Sequence, residues 1–228
     1  MTRSTTTKST AGRRRKFERA RRPEEREMRR QQVLRTARRL LADRGGADLS
    51  LNELARRSGV SKPNVYRYFE NREDVLLQLW VEEVRELGQQ LEHAFASLAP
   101  GDVDGVIVAV VFGFVAQPLL CELTSIASPV LEKNLSVDAI VRAKTNLATL
   151  TVQIAGLLHA RLPFLSLEDC SWLAGSAATW VAGIWPAVHP SPALADALSR
   201  PNLAAMQPVF ERDLAQLLRV LINGLRPR

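Results

Sequence analysis

The sequence has few of the residues from which enzyme sites and disulfide frameworks are built. Its 228 residues include two cysteines, Cys121 and Cys170, and three histidines, without the spacing of a metal site. It contains no Ser-His-acid set and no glycine-rich phosphate loop, so we expect no catalysis, no cofactor and no metal. We expect the cysteines to be buried thiols in a reducing cytoplasm.

The sequence also lacks a long apolar run. A membrane-spanning helix needs roughly 18 consecutive apolar residues, and no segment here approaches that length. We therefore expect a soluble protein with no membrane partner. Apolar residues nevertheless make up 46% of the chain, which suffices for a buried core and excludes disorder of the whole chain.

Acidic residues are scarce at the N-terminal end. Residues 1–30 contain 12 Lys and Arg against 4 Asp and Glu, whereas residues 81–228 contain 10 against 14, within a net charge of +7. This placement indicates that one end of the chain meets a polyanion and the other does not. Residues 1–22 are rich in Thr, Ser and Arg and almost free of apolar residues, so we expect a disordered basic arm there.

Beyond the arm, every long segment is helical in period or continuously apolar, and none alternates as a strand does. The predicted fold is therefore all-α, with about nine helices. The first helix begins near Glu24 and ends at Gly45 and Gly46, and the fourth is expected over residues 72–98. Prolines end the next four segments, and a proline-rich connector (186–208) precedes the last helix. These segments are 103–117, 119–128, 137–162, 167–185 and 209–225.

Residues 49–69 have the spacing of two short helices joined by a tight turn. Ser50 and Glu53 form a capping-box pattern, and Gly59 supplies the left-handed backbone that ends the first helix. Ser61 is the expected cap of the second helix. The inward positions are Leu51, Leu54, Ala55, Val60 and Val65. This pattern is a helix-turn-helix, and its outward residues can donate hydrogen bonds to base edges or phosphates. They are Lys62, Asn64, Arg67 and Tyr68.

The run that starts at Gly59 and ends at Leu76 reads GVSKPNVYRYFENREDVL. It closely resembles the signature of the tetracycline-repressor-type (TetR) transcriptional regulators. The resemblance covers about residues 30–80 at motif level, and beyond residue 100 only the helix count and the prolines are similar. It implies a three-helix DNA-binding domain over 23–71 and a larger helical domain over 72–228 that binds a ligand and dimerises. It also implies a cytoplasmic regulator, most often a repressor.

The resemblance further implies which residues contact a near-palindromic operator in double-stranded DNA. Expected phosphate contacts are Tyr66, Tyr68, Arg72 and Ser50. Arg72 and Ser50 stand at helix N-termini, which favour an anion. Expected contacts to backbone or bases near the start of the recognition helix are Ser61, Lys62, Pro63 and Asn64. Phe69 is expected in the core.

The basic arm is longer than this family needs, and two interpretations of it stand. Arg13, Arg14 and Arg15 contact phosphates or enter an adjacent minor groove, or the arm is a solubilising tail. The arm also supports an alternative function, in which the chain is a sequence-indifferent architectural DNA-binding protein.

Small residues recur at steps of four between Leu173 and Trp185, which allows helices to approach closely. Together with the apolar face of the last helix they are expected, as in the family, to form a four-helix bundle between two subunits of a homodimer. The alternative is that both faces pack inside one subunit. The expected interface residues are Ala174, Ala178, Ala182, Gly175, Thr179, Gly183, Phe210, Leu214, Leu218 and Leu221.

The family also implies a cavity for a small-molecule effector, and apolar walls with sparse polar groups suit a hydrophobic one. The expected lining is Phe112, Thr124, Asn146, Thr149, Gln153 and Trp180. The alternative for the polar residues within 142–153 is a solvated stripe. By resemblance, the effector shifts the helix over 72–98 and moves the two reading heads out of register.

Overall fold

The computed structural model describes residues 9–44 and 49–227, with side chains over 23–43, 49–127 and 130–227. Gly45 and Gly46 lie outside the described residues. Within these ranges the chain forms helices and no strands, which confirms the predicted all-α fold. The ten α-helices are α1 (Ser9–Arg44), α2 (Leu51–Ser58), α3 (Lys62–Tyr68), α4 (Arg72–Phe95), α5 (Val103–Val115), α6 (Pro118–Ile126), α7 (Val137–Arg161), α8 (Leu167–Val188), α9 (Pro192–Leu198) and α10 (Phe210–Leu225).

The chain divides into two compact units, one that ends at Arg72 and one that starts at Glu73. The first unit contains α1, α2 and α3, and α1 contacts both of the shorter helices. Its core residues are Val33, Leu34, Ala37, Leu54, Val65 and Phe69, each at most 2% exposed. Burial of Phe69 agrees with its predicted role in the core.

The turn between α2 and α3 depends on Gly59, whose backbone is left-handed with φ 68° and ψ 9°. Leu54 and Val65, each 0% exposed, are buried on either side of the turn. The side-chain amide of Gln32 in α1 donates a hydrogen bond of 2.6 Å to the Ser58 carbonyl. This bond satisfies a carbonyl at the end of α2 and ties α1 to the turn.

Helix α1 is longer than predicted, because its backbone is helical from Ser9 whereas we expected a disordered arm over 1–22. Arg, Lys, Glu and Ala are good helix formers, and extending an existing helix costs far less than nucleating a new one. Pro23 lies inside α1. Residues 1–8 lie outside the described residues.

The proline-based boundaries near the C-terminus were partly wrong. Helix α8 continues through Pro186 to Val188, because a proline in the last turn removes one hydrogen bond but need not end the helix there. The predicted connector contains α9, whose first residue is Pro192. The Ser191 hydroxyl accepts the Leu194 N–H at 3.4 Å, so Ser191 caps α9 and proline holds the position where it is best tolerated.

In the second unit, α8 contacts α6, α7 and α10, and α10 contacts α5. Cys121 and Cys170 are buried free thiols, as predicted. Burial raises the pKa of the Cys121 thiol to about 12 and that of Cys170 to about 11. Both are therefore protonated at neutral pH and weak as nucleophiles or metal ligands.

Among the described residues, no single helix is long and apolar enough to cross a membrane. The pair α5 and α6, bent by 79°, meets the requirement by length and composition only. These helices bury Val106, Ile107, Phe114, Leu120 and Leu123, each at most 6% exposed.

The left-handed turn makes a testable prediction. Replacing Gly59 with Ala places a Cβ in a left-handed conformation, and we expect a loss of about 1 kcal/mol in the stability of the first unit. Amide hydrogen exchange in α2 and α3 of the full chain measures this loss.

Gly156→Ala is the matched control, because Gly156 is an exposed glycine inside α7 whose added Cβ meets no atom within 4 Å. Alanine there should stabilise α7 by up to about 1 kcal/mol. Faster exchange in α7 of Gly156→Ala, or unchanged exchange in α2 and α3 of Gly59→Ala, would contradict this account.

Candidate nucleic-acid interface and ligand cavity

Helix α3 buries Val65 and presents polar residues on its other side. Ser61, Lys62 and Pro63 are exposed at its start and Asn64 is half-buried. Tyr66 is 48% exposed, although it is a large aromatic residue. The first turn of α3 and Tyr66 therefore present hydrogen-bonding groups to solvent, as required of a helix that reads a groove of DNA.

The Ser61 hydroxyl makes no capping hydrogen bond, although Ser61 precedes α3 as predicted. A capping side chain accepts an N–H from the second or third residue of the helix. Here the second residue is Pro63, which has no N–H, and the third, Asn64, donates its N–H to the Ser61 carbonyl at 2.9 Å. The hydroxyl is therefore not used to hold the helix.

Tyr66 joins α3 to α2 at the exposed surface. Its phenol donates to Oδ1 of Asn52 at 3.5 Å, and the Lys62 ammonium lies 5.8 Å from its ring centroid. Asn52, Lys62 and Tyr66 thus form a group of exposed donors on both helices. Our sequence analysis missed Asn52, although its place as an exposed residue in the first turn of α2 could have indicated it.

Tyr68 is half-buried and lies close to two guanidinium groups. Arg26 of α1 and Arg67 of α3 lie 5.8 Å and 5.4 Å from its ring centroid, and Arg67 also donates to its phenol oxygen at 3.4 Å. Two cations held at one ring repel each other, and a phosphate between them relieves that repulsion. The sequence analysis missed Arg26, because no local pattern indicates that α1 approaches α3 there.

The structure contains one half of the predicted capping box at α2. The Ser50 hydroxyl accepts the Glu53 N–H at 3.2 Å, and the Glu53 carboxylate pairs with the guanidinium of Arg57 at 3.0 Å. Arg72 is the first residue of α4 and is half-buried. The side chains of Arg13, Arg14 and Arg15 lie outside the described residues.

The second unit encloses an apolar cavity of about 110 Å³. Helices α4, α5, α6, α7, α8 and α10 all contribute to its wall, and most lining side chains are aliphatic. The residues of α4 are Trp80, Val84, Leu87 and Leu91. Trp80 donates its indole N–H to the Thr124 hydroxyl oxygen at 3.0 Å, and that hydroxyl donates to the Leu120 carbonyl at 2.6 Å.

Only one of the six residues predicted to line a cavity lines this one. It is Thr124. Asn146, Thr149 and Gln153 lie on the exposed face of α7, and Phe112 is 68% exposed on α5. Trp180 is half-buried and packs against Phe210, with ring centroids 5.9 Å apart. This part of the prediction is corrected, and the solvated stripe is the interpretation that fits α7.

Helix α7 lines the cavity through Thr151, Ile154 and Leu158. The spacing of three and then four residues places them on one face of a helix. Thr149, two residues before Thr151, points to the other side. The sequence analysis chose the more polar of the two faces and so missed Thr151.

The predicted dimer residues divide into two groups. Phe210, Leu214 and Leu218 are at most 7% exposed and belong to the core of their own subunit. They are therefore unavailable to a partner, and this part of the prediction is corrected. Gly175, Thr179 and Gly183 form an exposed row on α8, while Ala174, Ala178, Ala182 and Leu221 are half-buried.

Two family descriptions match the chain. Residues 77–228 match "Tetracyclin repressor-like, C-terminal domain", and residues 33–79 match "Bacterial regulatory proteins, tetR family". The first match alone covers more than half of the chain. The second contains the whole of α2 and α3.

Curated relatives match only the N-terminal part. The HTH-type transcriptional regulator EthR of Mycobacterium tuberculosis (strain ATCC 25618 / H37Rv) is 40% identical over 74 residues, which is 32% of this chain and 32% of that protein. The HTH-type transcriptional regulator AcrR of Shigella flexneri is 32% identical over 73 residues, or 32% of this chain and 34% of that protein. The chain thus matches about a third of the length of these relatives.

Solved structures match most of the chain in fold. A possible TetR family transcriptional regulator from Streptomyces coelicolor A3(2) superposes with a TM-score of 0.55 at 21% identity, over 86% of this chain and 98% of that one. The fatty acid degradation regulator FadR from Bacillus halodurans gives 0.54 at 16% identity, over 88% and 97%. At these identities the likeness concerns the fold alone.

The pair of guanidinium groups at Tyr68 makes the second prediction. If Arg26 contacts a phosphate, Arg26→Ala lowers the salt dependence of duplex binding by about 0.9 in log–log slope. A titration of the full chain with labelled duplex at several salt concentrations measures this slope.

Arg35→Ala is the matched control, because it removes the same charge from an exposed position nine residues along α1, on the opposite side of the helix. Its slope should stay unchanged. Equal changes in both variants would show that only the total charge of α1 matters.

Proposed function

The chain belongs to the tetracycline repressor family of bacterial regulatory proteins, and we propose that it is a ligand-responsive transcriptional repressor. It binds a near-palindromic operator as a homodimer, acts in the cytoplasm, and leaves DNA when a small hydrophobic effector binds. The observation that carries the DNA-binding half is the surface at α3, where Ser61, Lys62 and Tyr66 are exposed with Arg26 and Arg67 beside Tyr68. The relatives named above are transcriptional regulators, which supports the same function for this chain.

We assign the contacts by chemistry. Tyr66, Tyr68 and Arg26 bind phosphates and position the protein, because they are phenols and a guanidinium at the edge of the surface. Asn64 and Lys62 read base edges from the first turn of α3, and Ser61 binds backbone or base there. Ser50 and Arg72 add phosphate contacts at the starts of α2 and α4.

The exposed row on α8 supports dimerisation. Gly175, Thr179 and Gly183 leave room for a second helix to approach closely. The Thr179 hydroxyl donates to the Gly175 carbonyl at 2.9 Å, so its donor is satisfied within the helix. Trp172 on α8 and Val220 on α10 are 54% and 56% exposed and provide apolar area beside this row. We propose that these residues, and not the buried face of α10, form the dimer interface.

The cavity supports an effector site. Four residues of α4 line it, and α4 starts four residues after Tyr68, the last residue of α3. A ligand that favours one position of α4 shifts the population of DNA-binding conformers. Repression follows when the ligand-free protein binds an operator that overlaps a promoter.

Operator recognition is tested by comparing the duplex upstream of the protein's own gene with a random duplex. A specific regulator binds the former at least about 10³-fold more tightly. Asn64→Ala should cost about 1–3 kcal/mol on the operator and little on random DNA, because it removes a base contact. Tyr66→Phe should weaken both, because it removes a phosphate contact.

Gln153→Ala, an exposed change on α7, is the control and should leave both affinities unchanged. Equal affinities of the unmodified protein for the two duplexes would contradict the proposal. That result would favour the alternative, a sequence-indifferent architectural protein that uses the basic residues before Pro23.

Dimerisation is tested with Gly183→Arg. Gly183 is exposed and its added Cβ meets no atom within 4 Å, so the subunit should fold while the charged side chain keeps a partner away. We expect a monomer by light scattering and a loss of operator affinity on the order of 10²-fold, because a half-site then binds alone.

Ala148→Arg places the same side chain on the exposed face of α7 and should leave the dimer intact. A dimeric Gly183→Arg protein would exclude the α8 row as the interface. A monomeric Ala148→Arg protein would move the interface to α7.

A further inference from the structure

The wall of the cavity restricts the kind of molecule that can occupy it, and this inference rests on the proposed function. We infer that the effector is a small, uncharged, largely apolar molecule with a single hydrogen-bonding oxygen, which the Thr151 hydroxyl binds. Ring-shaped alcohols and phenols belong to this class.

The lining excludes a charged ligand. Among the described residues, no titratable side chain lines the cavity, and its polar side chains are Trp80, Thr124 and Thr151. A carboxylate or ammonium placed there would lose its hydration without gaining a counter-charge, and such a transfer is strongly unfavourable. The ligand is therefore neutral in its bound form.

The volume limits the ligand to a small ring. An apolar cavity of roughly 150 Å³ holds a benzene molecule, and this cavity measures about 110 Å³. Its deep wall is fully buried and closely packed, with Leu87, Leu91 and Leu158 each at most 5% exposed. A ligand of about six to eight non-hydrogen atoms therefore fits with small adjustments of side chains.

Thr151 is the one polar group of the wall that the protein leaves unsatisfied. In helices a threonine hydroxyl often donates to the carbonyl four residues earlier, and Thr36, Thr124, Thr149 and Thr179 do so here. Within the described residues, the Thr151 hydroxyl has no hydrogen-bond partner. The Trp80 N–H and the Thr124 donor are already used.

The position of Thr151 sets the orientation of the ligand. Thr151 on α7 is half-buried, and Gly175 across from it in the lining on α8 is exposed, so this side of the cavity opens to solvent. The apolar body of the ligand enters between these helices and packs against the leucines of α4. Its oxygen stays near the opening, where the Thr151 hydroxyl donates to it.

The experiment uses the full-length protein and three probes of similar size, which are phenol, toluene and benzoate. Titration calorimetry at pH 7 measures binding of each. We expect phenol to bind about tenfold more tightly than toluene, because toluene lacks the oxygen. Benzoate should bind at least about a hundredfold more weakly than phenol, because its charge would be buried unpaired.

Thr151→Val removes the hydroxyl while keeping the shape of the side chain, and should reduce the preference for phenol over toluene from about tenfold to about onefold. Toluene binding should persist, which shows that the variant is folded. Thr149→Val is the matched control, since Thr149 is exposed two residues away, and it should keep the preference.

The outcomes separate this inference from the proposed function. Binding of benzoate as tight as that of phenol, or an unchanged preference in Thr151→Val, would overturn it. Failure of both phenol and toluene to bind a protein that still recognises its operator would also overturn it, while DNA recognition stands. If phenol binds through Thr151 and operator affinity does not change, the ligand class is supported and effector release is wrong.

Discussion

Each amphipathic helix of this chain has one apolar face to bury, and the direction of that face decides what the rest of the helix can do. Helix α3 buries Val65, so its first turn and Tyr66 reach solvent. Helix α10 buries Phe210, Leu214, Leu218 and Ile222 in its own subunit, so that face cannot meet a partner. Burial in a common core fixes these directions together, because the helices share it.

Features that depend on a few adjacent residues could be predicted from the sequence. Ser50, Gly59 and Ser61 set the ends of α2 and α3, because capping and left-handed turns are local chemistry. The all-α fold followed from the 3.6-residue period of the long segments. The family resemblance likewise depended on one continuous run, from Gly59 to Leu76, which the match over residues 33–79 includes.

Features that depend on tertiary contacts could not be predicted. The polar face of α7, with Asn146, Thr149 and Gln153, resembled the polar part of a binding site, but the cavity lies on the other face, at Thr151. The sequence of one helix does not indicate which of two faces meets its neighbours when both contain threonine. Arg26 was missed for the same reason, since its proximity to Tyr68 arises only when α1 packs against α3.

A ligand as small as the cavity allows can still control DNA binding on the proposed function. It can shift an equilibrium only by the difference between its affinities for the two conformers, and allosteric couplings are typically about 1–3 kcal/mol. Very small ligands gain at most about 1.5 kcal/mol per non-hydrogen atom, so losing the contacts of one or two atoms supplies such a coupling. Trp80, Val84, Leu87 and Leu91 line the cavity from one face of α4, so a modest shift of this helix changes those contacts. Because a homodimer has two cavities, the effect on operator affinity is the product of two such factors, and bound operator weakens ligand binding reciprocally.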